Sequence, residues 1–458
     1  MKRTHPPISG TFIKAAGGTA PSQSAYGVLE FSGERATITF HPPTTALGSR
    51  EDFPATLWLL SDGEVLAVVS GCLFHSGNGD GSVRTVAVQR AVRFHHSVDD
   101  VPSEFEEATV RIKGLREWTG FSLGQADAGV SSFTLSAKAG ELDCRVYMGV
   151  SQGGTYTKEH RKVSGSLKLS SGTPREIDYW LDQIHWFGWL VSIFAESACV
   201  NAEITLDTAT ETAELWVPTI EVPDNMERHP RMWIFTLQDV SPTERERIIE
   251  RWYAARPRVE VLNGMFIEEW LRPAQILESK FISLMQGLEA YCRQVFVGKD
   301  TFLLPDEYGK LHKILVAAIP PGTAPHLKDS LKARLHFGNE HSLRKRVQTL
   351  LLAHPEASDL LMPVFGTDLK SWVKRTVDMR NAITHYSLDP EEFQRMRKGL
   401  FETVQEVRVL IHYLLLNEAL GSSAEALDVL TKTRGYKEIE FRRDNRKASD
   451  NTPAAAPV

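Results

Sequence analysis

Near the C-terminal end, Arg380-Asn381-Ala382-Ile383-Thr384-His385 puts three side chains suited to phosphodiester chemistry within six residues. A guanidinium binds phosphate oxygens through its planar fork and stabilises charge that develops on them. An imidazole takes up and delivers protons near neutral pH. On a helix the Asn381 amide lies one turn from His385, where it can orient the ring or the phosphate. Glu289, Arg293, Lys374 and Tyr386 add a carboxylate, two cations and an aromatic ring to the set. Plainer roles stand beside these: a helix–helix ion pair for Glu289, packing for Tyr386, a structural ion pair for Arg380 and a C-terminal cap for His385.

Spacing alone does not choose between these roles. With 15 histidines in the chain, similar pairs recur at Arg35/His41, Arg90/His95 and Arg334/His341. The first two fall in strand-like alternation and the third spans Gly338-Asn339, a helix breaker. Arg380 and His385 instead close a strongly helical segment that Ser387-Leu388-Asp389-Pro390 brings to an end. At about 100° per residue, Leu369, Trp372, Val373, Thr376, Val377, Met379 and Ile383 share one arc. Asn381 and His385 project from the other face beside Lys374 and Asp378, and Arg380 falls within the apolar arc, where it needs an anion.

The elements that must hold this helix are themselves helical. Ser241-Pro242-Thr243-Glu244 has the form of a helix start, with Ser as cap, Pro first and Glu third. The periodicity beyond it predicts helices over 241–255, 273–298, 307–318, 326–336, 341–353, 368–385, 390–419 and 423–432. Pro355 and Pro363 read as breakers, and residues 436–458 as a polar, disordered tail. Before residue 240 the grammar differs. Short alternating segments such as Ala36–Phe40, Leu57–Leu60, Val65–Val69 and Ala108–Ile112 are separated by Gly, Pro, Asp and Asn, which predicts antiparallel strands in a sheet or sandwich. One helix interrupts them from Ile177 to about Ala198, with Trp180, Trp186 and Trp189 at core spacing. The expected architecture is α+β: a β-rich domain over 1–240, an all-α domain over 241–435 and the tail.

Composition narrows the function classes. Apolar residues make up 42% of the 458 and charged residues 24%, the balance of a folded soluble protein in two or three domains. Residues 1–240 carry 20 Lys+Arg against 29 Asp+Glu, so the β-rich half is not a surface that wraps nucleic acid. Residues 241–458 carry 32 against 29, with local runs at Arg344-Lys345-Arg346 and Lys374-Arg375 that suit a short RNA segment or simply a solvated face. Cys72, Cys144, Cys199 and Cys292 lie far apart and form neither a disulfide framework nor a zinc ribbon. Cys72, His75, His95 and His96 match no metal-ligand spacing. No apolar run reaches the length of a membrane span, and the first residues lack a signal peptide's apolar core, so a cytoplasmic protein without cofactor is expected.

The stretch Gly287-Leu288-Glu289-Ala290-Tyr291 with Arg293, followed much later by Met379-Arg380-Asn381-Ala382-Ile383-Thr384-His385-Tyr386, resembles a HEPN domain. More narrowly it resembles the ApeA-like HEPN group of bacterial anti-phage proteins. Leu115-Arg116-Glu117-Trp118-Thr119-Gly120 and Gly27-Val28-Leu29-Glu30-Phe31 are similar to segments of that group's N-terminal domain. One departure is Cys292, at a position where a His or another polar residue is expected. The resemblance implies a metal-independent endoribonuclease in which the RNA 2′-hydroxyl attacks, leaving a 2′,3′-cyclic phosphate and a 5′-hydroxyl, with Glu289 fixing Arg380 or the histidine tautomer and Arg293, Lys374 and Tyr386 contacting RNA by charge or stacking. It also implies a homodimer or higher oligomer with a composite cleft, and a β-rich domain that restrains the nuclease until an unidentified phage trigger appears in abortive infection. Transfer RNA would suit a toxin that halts growth. The alternative is a catalytically silent HEPN scaffold that binds a nucleotide or a partner protein through the same cleft.

Overall fold

The computed structural model describes residues 7–14, 24–32, 35–44, 56–61, 64–70, 72–77, 83–98, 101–121, 132–155, 158–199, 201–217, 234–272, 274–385 and 389–450. The chain forms two compact units, residues 1–253 and 254–458. The division falls inside a helix rather than at residue 240, where the sequence pattern changes.

The first unit is antiparallel β, as the alternation requires. Among the described residues its strands are β1 (Ile8–Lys14), β2 (Ser24–Ser32), β3 (Arg35–Thr44), β4 (Thr56–Ser61), β5 (Glu64–Ser70), β6 (Leu73–Gly77), β7 (Val83–Val88), β8 (Arg90–Val98), β9 (Glu104–Ile112), β10 (Ser132–Ala139), β11 (Leu142–Thr155), β12 (Lys158–Glu176), β13 (Asn201–Asp207) and β14 (Thr212–Trp216). They are joined by hydrogen bonds in the order β10-β11-β12-β9-β13-β14-β8-β5-β4-β1-β2-β3-β7-β6. Period-two burial is visible along β9, where Phe105, Ala108, Val110 and Ile112 are buried. Phe12, Leu29, Ile38, Phe40, Leu57, Leu59, Ala67, Val69 and Val86 are fully enclosed in a core of the early strands.

A second core in this unit is aromatic. The helix α1 (Leu115–Thr119) is one turn long, and Gly120 ends it at φ 71°, a left-handed conformation that glycine adopts without strain. Gln238 donates to the Gly120 carbonyl at 2.7 Å. This geometry delivers Trp118 into full burial, edge-on to Phe187 at 5.8 Å and stacked on Phe194 at 6.3 Å. Both phenylalanines belong to α2 (Ile177–Ala195), the one helix expected among the strands. Trp180 and Trp186 are core residues, and Trp180 donates its indole N–H to the Phe105 carbonyl at 3.1 Å.

The helix α3 (Pro242–Leu271) begins at the expected cap, with the Glu244 amide donating to Ser241 Oγ at 3.3 Å. It then runs far past the expected end at 255, carrying Pro257 within it. Proline removes one ladder hydrogen bond at a cost of about 3 kcal/mol. Complete burial of Ala255, Val259, Leu262 and Phe266 on both sides of it supplies the compensating packing. Within the first unit Trp252 stacks on Trp186 with ring centroids 4.7 Å apart.

The second unit is all α. A core of four helices is made by α4 (Leu277–Val295), α7 (Leu343–Ala353), α9 (Leu369–His385) and α10 (Pro390–Leu420). Between α4 and α7 stand α5 (Pro305–Ala317) and α6 (Pro325–His336), a hairpin whose helices contain no buried residue. Two elements depart from the sequence reading. Pro355 starts a helix instead of breaking one, α8 (Pro355–Val364), because proline at the first helical position gives up an N–H that has no partner there anyway. The expected disordered tail begins as helix: α11 (Ser423–Lys432) is followed at once by α12 (Arg434–Asp450). Thr433 caps the junction, accepting from the Tyr436 amide at 3.2 Å, and burial of Tyr436 and Ile439 anchors a segment whose polar composition alone argued against order.

Two features of this unit are open to direct test. Gly287 faces α3 so closely that an added Cβ would stand 3.2 Å from Leu262 Cα, which is backbone and cannot swing aside. Gly287→Val is expected to destabilise the protein by about 1–3 kcal/mol, read as a lowered midpoint in chemical denaturation; an unchanged midpoint would mean that the two helices have room to part. Glu406 is buried, accepts from Trp372 Nε1 at 2.9 Å and pairs with Arg375. Burial outweighs these partners and raises its pKa above the ordinary 4.5. A raised carboxylate pKa means that the folded state holds the proton more tightly, so stability declines as pH rises through that interval. Relative to wild type, Glu406→Gln should therefore gain thermal stability as pH climbs above 4.5; a trend of opposite sign in melting curves would contradict this.

Candidate active site

The helix α9 places the motif as the wheel predicts. Trp372, Val373, Thr376, Val377, Met379, Ala382 and Ile383 are buried, while Lys374, Asp378, Asn381 and His385 are exposed. His385 is the final residue of the helix, and its side chain makes no hydrogen bond or ion pair among the described residues. Tyr386 lies outside the described residues. Among the described residues four polar ties fix the helix along its length: Trp372 and Arg375 to Glu406 of α10, Asp378 to Arg344 of α7, and Arg380 to Glu289 of α4.

Arg380 is the half-buried member, with a quarter of its side chain exposed (25%). Its anion is Glu289, whose Oε2 stands 3.7 Å from Nη2, an ion pair too long for a hydrogen bond. Nη1 donates to Asn381 Oδ1 at 3.2 Å. The structure thus brings together Arg380, Asn381 and Glu289. It gives Arg293 a different setting from a free RNA contact, since its two terminal nitrogens pair with Glu289 at 3.3 Å and Glu340 at 3.2 Å. Lys374 stands on the exposed face of α9 with Asn381 and His385.

Sequence reasoning missed the residue at the centre of this cluster. Arg346 is only 4% exposed, and it meets three carboxylates: Glu340 at 2.9 Å, Glu289 at 3.5 Å and Asp300 at 3.5 Å. The hydrogen bond from Arg346 lowers the Glu340 pKa, with help from Arg293. The run Arg344-Lys345-Arg346 therefore splits three ways, into a residue paired with Asp378, an exposed lysine and a buried guanidinium. A hint was available in the helical period, because Arg346 precedes Val347 and lies one turn before Leu350 on the buried face. Asn339 fastens the segment that carries Glu340, exchanging hydrogen bonds of 2.9 Å with the Leu303 amide and carbonyl.

Cys292, the departure noted in the sequence, is fully buried beside this network, and burial pushes its thiol pKa up to about 12. It is a packing residue with no thiolate chemistry near neutrality. Cys72 is likewise pushed up to about 12 by burial, and the side chains of His75, His95 and His96 lie outside the described residues. No group of three or more potential metal ligands occurs among the described residues. Among them, too, no helix is long and apolar enough to cross a membrane.

With this geometry established, comparison with known families is informative. Residues 282–425 match the family model described as Apea-like HEPN. The chain carries an ApeA-like HEPN domain. The matched span runs from α4 through α11 and includes Glu289, Arg346, Arg380, Asn381 and His385. HEPN domains are a nuclease-associated family with a defence theme, and they typically bind RNA and dimerise. Comparison with curated proteins and with solved structures gives no match.

The exposed Asn381 and His385 should be separable from the stability of the unit. Asn381→Ala and His385→Ala are each expected to shift unfolding free energy by no more than about 0.5 kcal/mol, whereas Arg346→Ala, which removes the buried cation shared by three half-buried carboxylates, should cost about 2 kcal/mol. Urea denaturation of the three variants checks this ordering, and a large loss in His385→Ala would return that residue to a capping role.

Proposed function

We propose that the chain is a metal-independent endoribonuclease acting through its HEPN domain, in bacterial defence of the abortive-infection kind. The observation that carries this reading is the exposed pair Asn381 and His385 at the end of α9, one turn apart and adjacent to the half-buried Arg380. A domain built only for packing has no need of an exposed imidazole beside an anchored guanidinium.

In this reading the scissile phosphate lies against Arg380, which offsets the negative charge that builds up on the non-bridging oxygens. The 2′-hydroxyl loses its proton and attacks phosphorus, the bond to the 5′-oxygen breaks, and that oxygen takes a proton as it leaves. The products are a 2′,3′-cyclic phosphate and a 5′-hydroxyl. His385 serves as the proton carrier. One imidazole per chain gives a reason for a composite cleft, with a second copy supplying the other proton carrier across a homodimer. Asn381 orients Arg380 through its amide oxygen, Lys374 adds positive charge on the same face, and Glu289 positions Arg380. Transfer RNA is the substrate class that best suits growth arrest, and the β-rich unit is assigned the sensing of a phage trigger.

A scaffold reading, in which the same surface binds a nucleotide or protein without cleaving, draws on the Arg380–Glu289 ion pair, since a paired arginine also serves structure. Incubation of total cellular RNA with purified full-length protein in EDTA separates the two. Wild type is expected to give discrete fragments, and His385→Ala and Arg380→Ala to cleave at least about a hundredfold more slowly. If wild type and both variants are equally inert, with lysate of phage-infected cells present, the scaffold reading takes its place.

A further inference from the structure

We infer that Arg346 is a positioning residue that keeps Arg380 available to an RNA phosphate by neutralising Glu289 from the buried side. The inference rests on the phosphate-binding role given to Arg380 above. It starts from the charge count of the cluster. Three carboxylates, Glu289, Asp300 and Glu340, face three guanidiniums, Arg293, Arg346 and Arg380. The cluster is neutral, and its most buried member is Arg346, at 4% exposure.

The distances show how Glu289 is shared. Its Oε1 lies 3.3 Å from Arg293 and 3.5 Å from Arg346, while Oε2 lies 3.7 Å from Arg380. Arg380 is thus aimed by the carboxylate without donating a hydrogen bond to it, and the guanidinium keeps donors for an incoming phosphate. Were Glu289 to meet Arg380 alone, the pair would close into a bidentate contact that RNA would first have to break. Arg346 prevents this closure, because its charge is held by burial and cannot be withdrawn into solvent. Glu340 sets the strength of the effect from the other side. It takes the closest contact with Arg346, at 2.9 Å, and so limits how fully Arg346 turns to Glu289.

Two variants should therefore move phosphate binding in opposite directions. Arg346→Met removes the competing cation, so Arg380 collapses onto Glu289 and binding weakens. Glu340→Gln releases Arg346 toward Glu289, so Arg380 is freed and binding strengthens. Glu340 is one-third exposed, and its replacement by an amide of the same shape leaves the fold intact if the Arg346 variant proves unstable. Adding Glu289→Gln to Arg346→Met rebalances the charge and should restore binding, which simple loss of packing would not allow.

The test is binding of a fluorescent 2′-O-methyl RNA dodecamer, which lacks the nucleophile, to the full-length chain at fixed salt, with denaturation curves confirming folding. Arg346→Met is expected to raise Kd about tenfold, Glu340→Gln to lower it about threefold, and the double variant to return within about threefold of wild type. In an Arg380→Ala background these changes should vanish. The inference is overturned if folded Arg346→Met binds like wild type, if the double variant is no better than the single one, if Glu340→Gln weakens binding, or if folded wild type does not bind at all. If binding follows the expected pattern while unmodified RNA is never cut, the nuclease reading fails and the role of Arg346 stands.

Discussion

One carboxylate organises the helical unit. Glu289 on α4 meets guanidiniums from its own helix, from α7 and from α9, and the last two contacts tie three helices of the four-helix core together. A charge at such a position is tolerable only because the partners are fixed before it is desolvated. The apolar stripes of α4, α7 and α9 bring them together, with Leu284, Leu288, Val347, Leu350, Val373 and Val377 buried among them. Packing therefore comes first in the causal order. The ionic cluster then sets where the Arg380 guanidinium points, and α9 sets where His385 emerges.

This order explains how the site combines rigidity with access. Arg380 is held from behind, and Trp372 and Asp378 hold its helix at two further points. Asn381 and His385 project from the opposite face, free of the core that positions them. A catalytic group placed on a braced helix keeps its geometry better than one placed on a loop.

Much of this was legible in the sequence because the signals were periodic. The arc from Trp372 to Ile383, the Ser241-Pro242 helix start and the β-rich alternation before residue 217 all emerge in the structure as their spacing requires. Local rules failed where tertiary burial overrode them. Pro257 sits inside a helix because its neighbours are buried, and the polar segment after Arg434 is helical because Tyr436 and Ile439 find a surface to cover. Arg346 was hidden for a different reason. In a run of three basic residues, charge suggests a solvated face; the helical period gives a hint to the contrary, but the partners Glu289 and Asp300 come from distant stretches and only Glu340 from nearby. Pairings at sequence separations of 46 and 57 residues leave no local trace.

The claim on which the functional account turns is that the RNA supplies its own nucleophile at the Arg380–His385 site. Once a cleaved position has been mapped, the decisive measurement is cleavage of two synthetic RNAs that differ only by a 2′-deoxyribose on the 5′ side of that bond. The account predicts that the all-ribose strand yields a cyclic phosphate and a 5′-hydroxyl end, and that the substituted strand is not cut there. Equal cleavage of both strands would contradict it, because an external nucleophile would then be doing the chemistry.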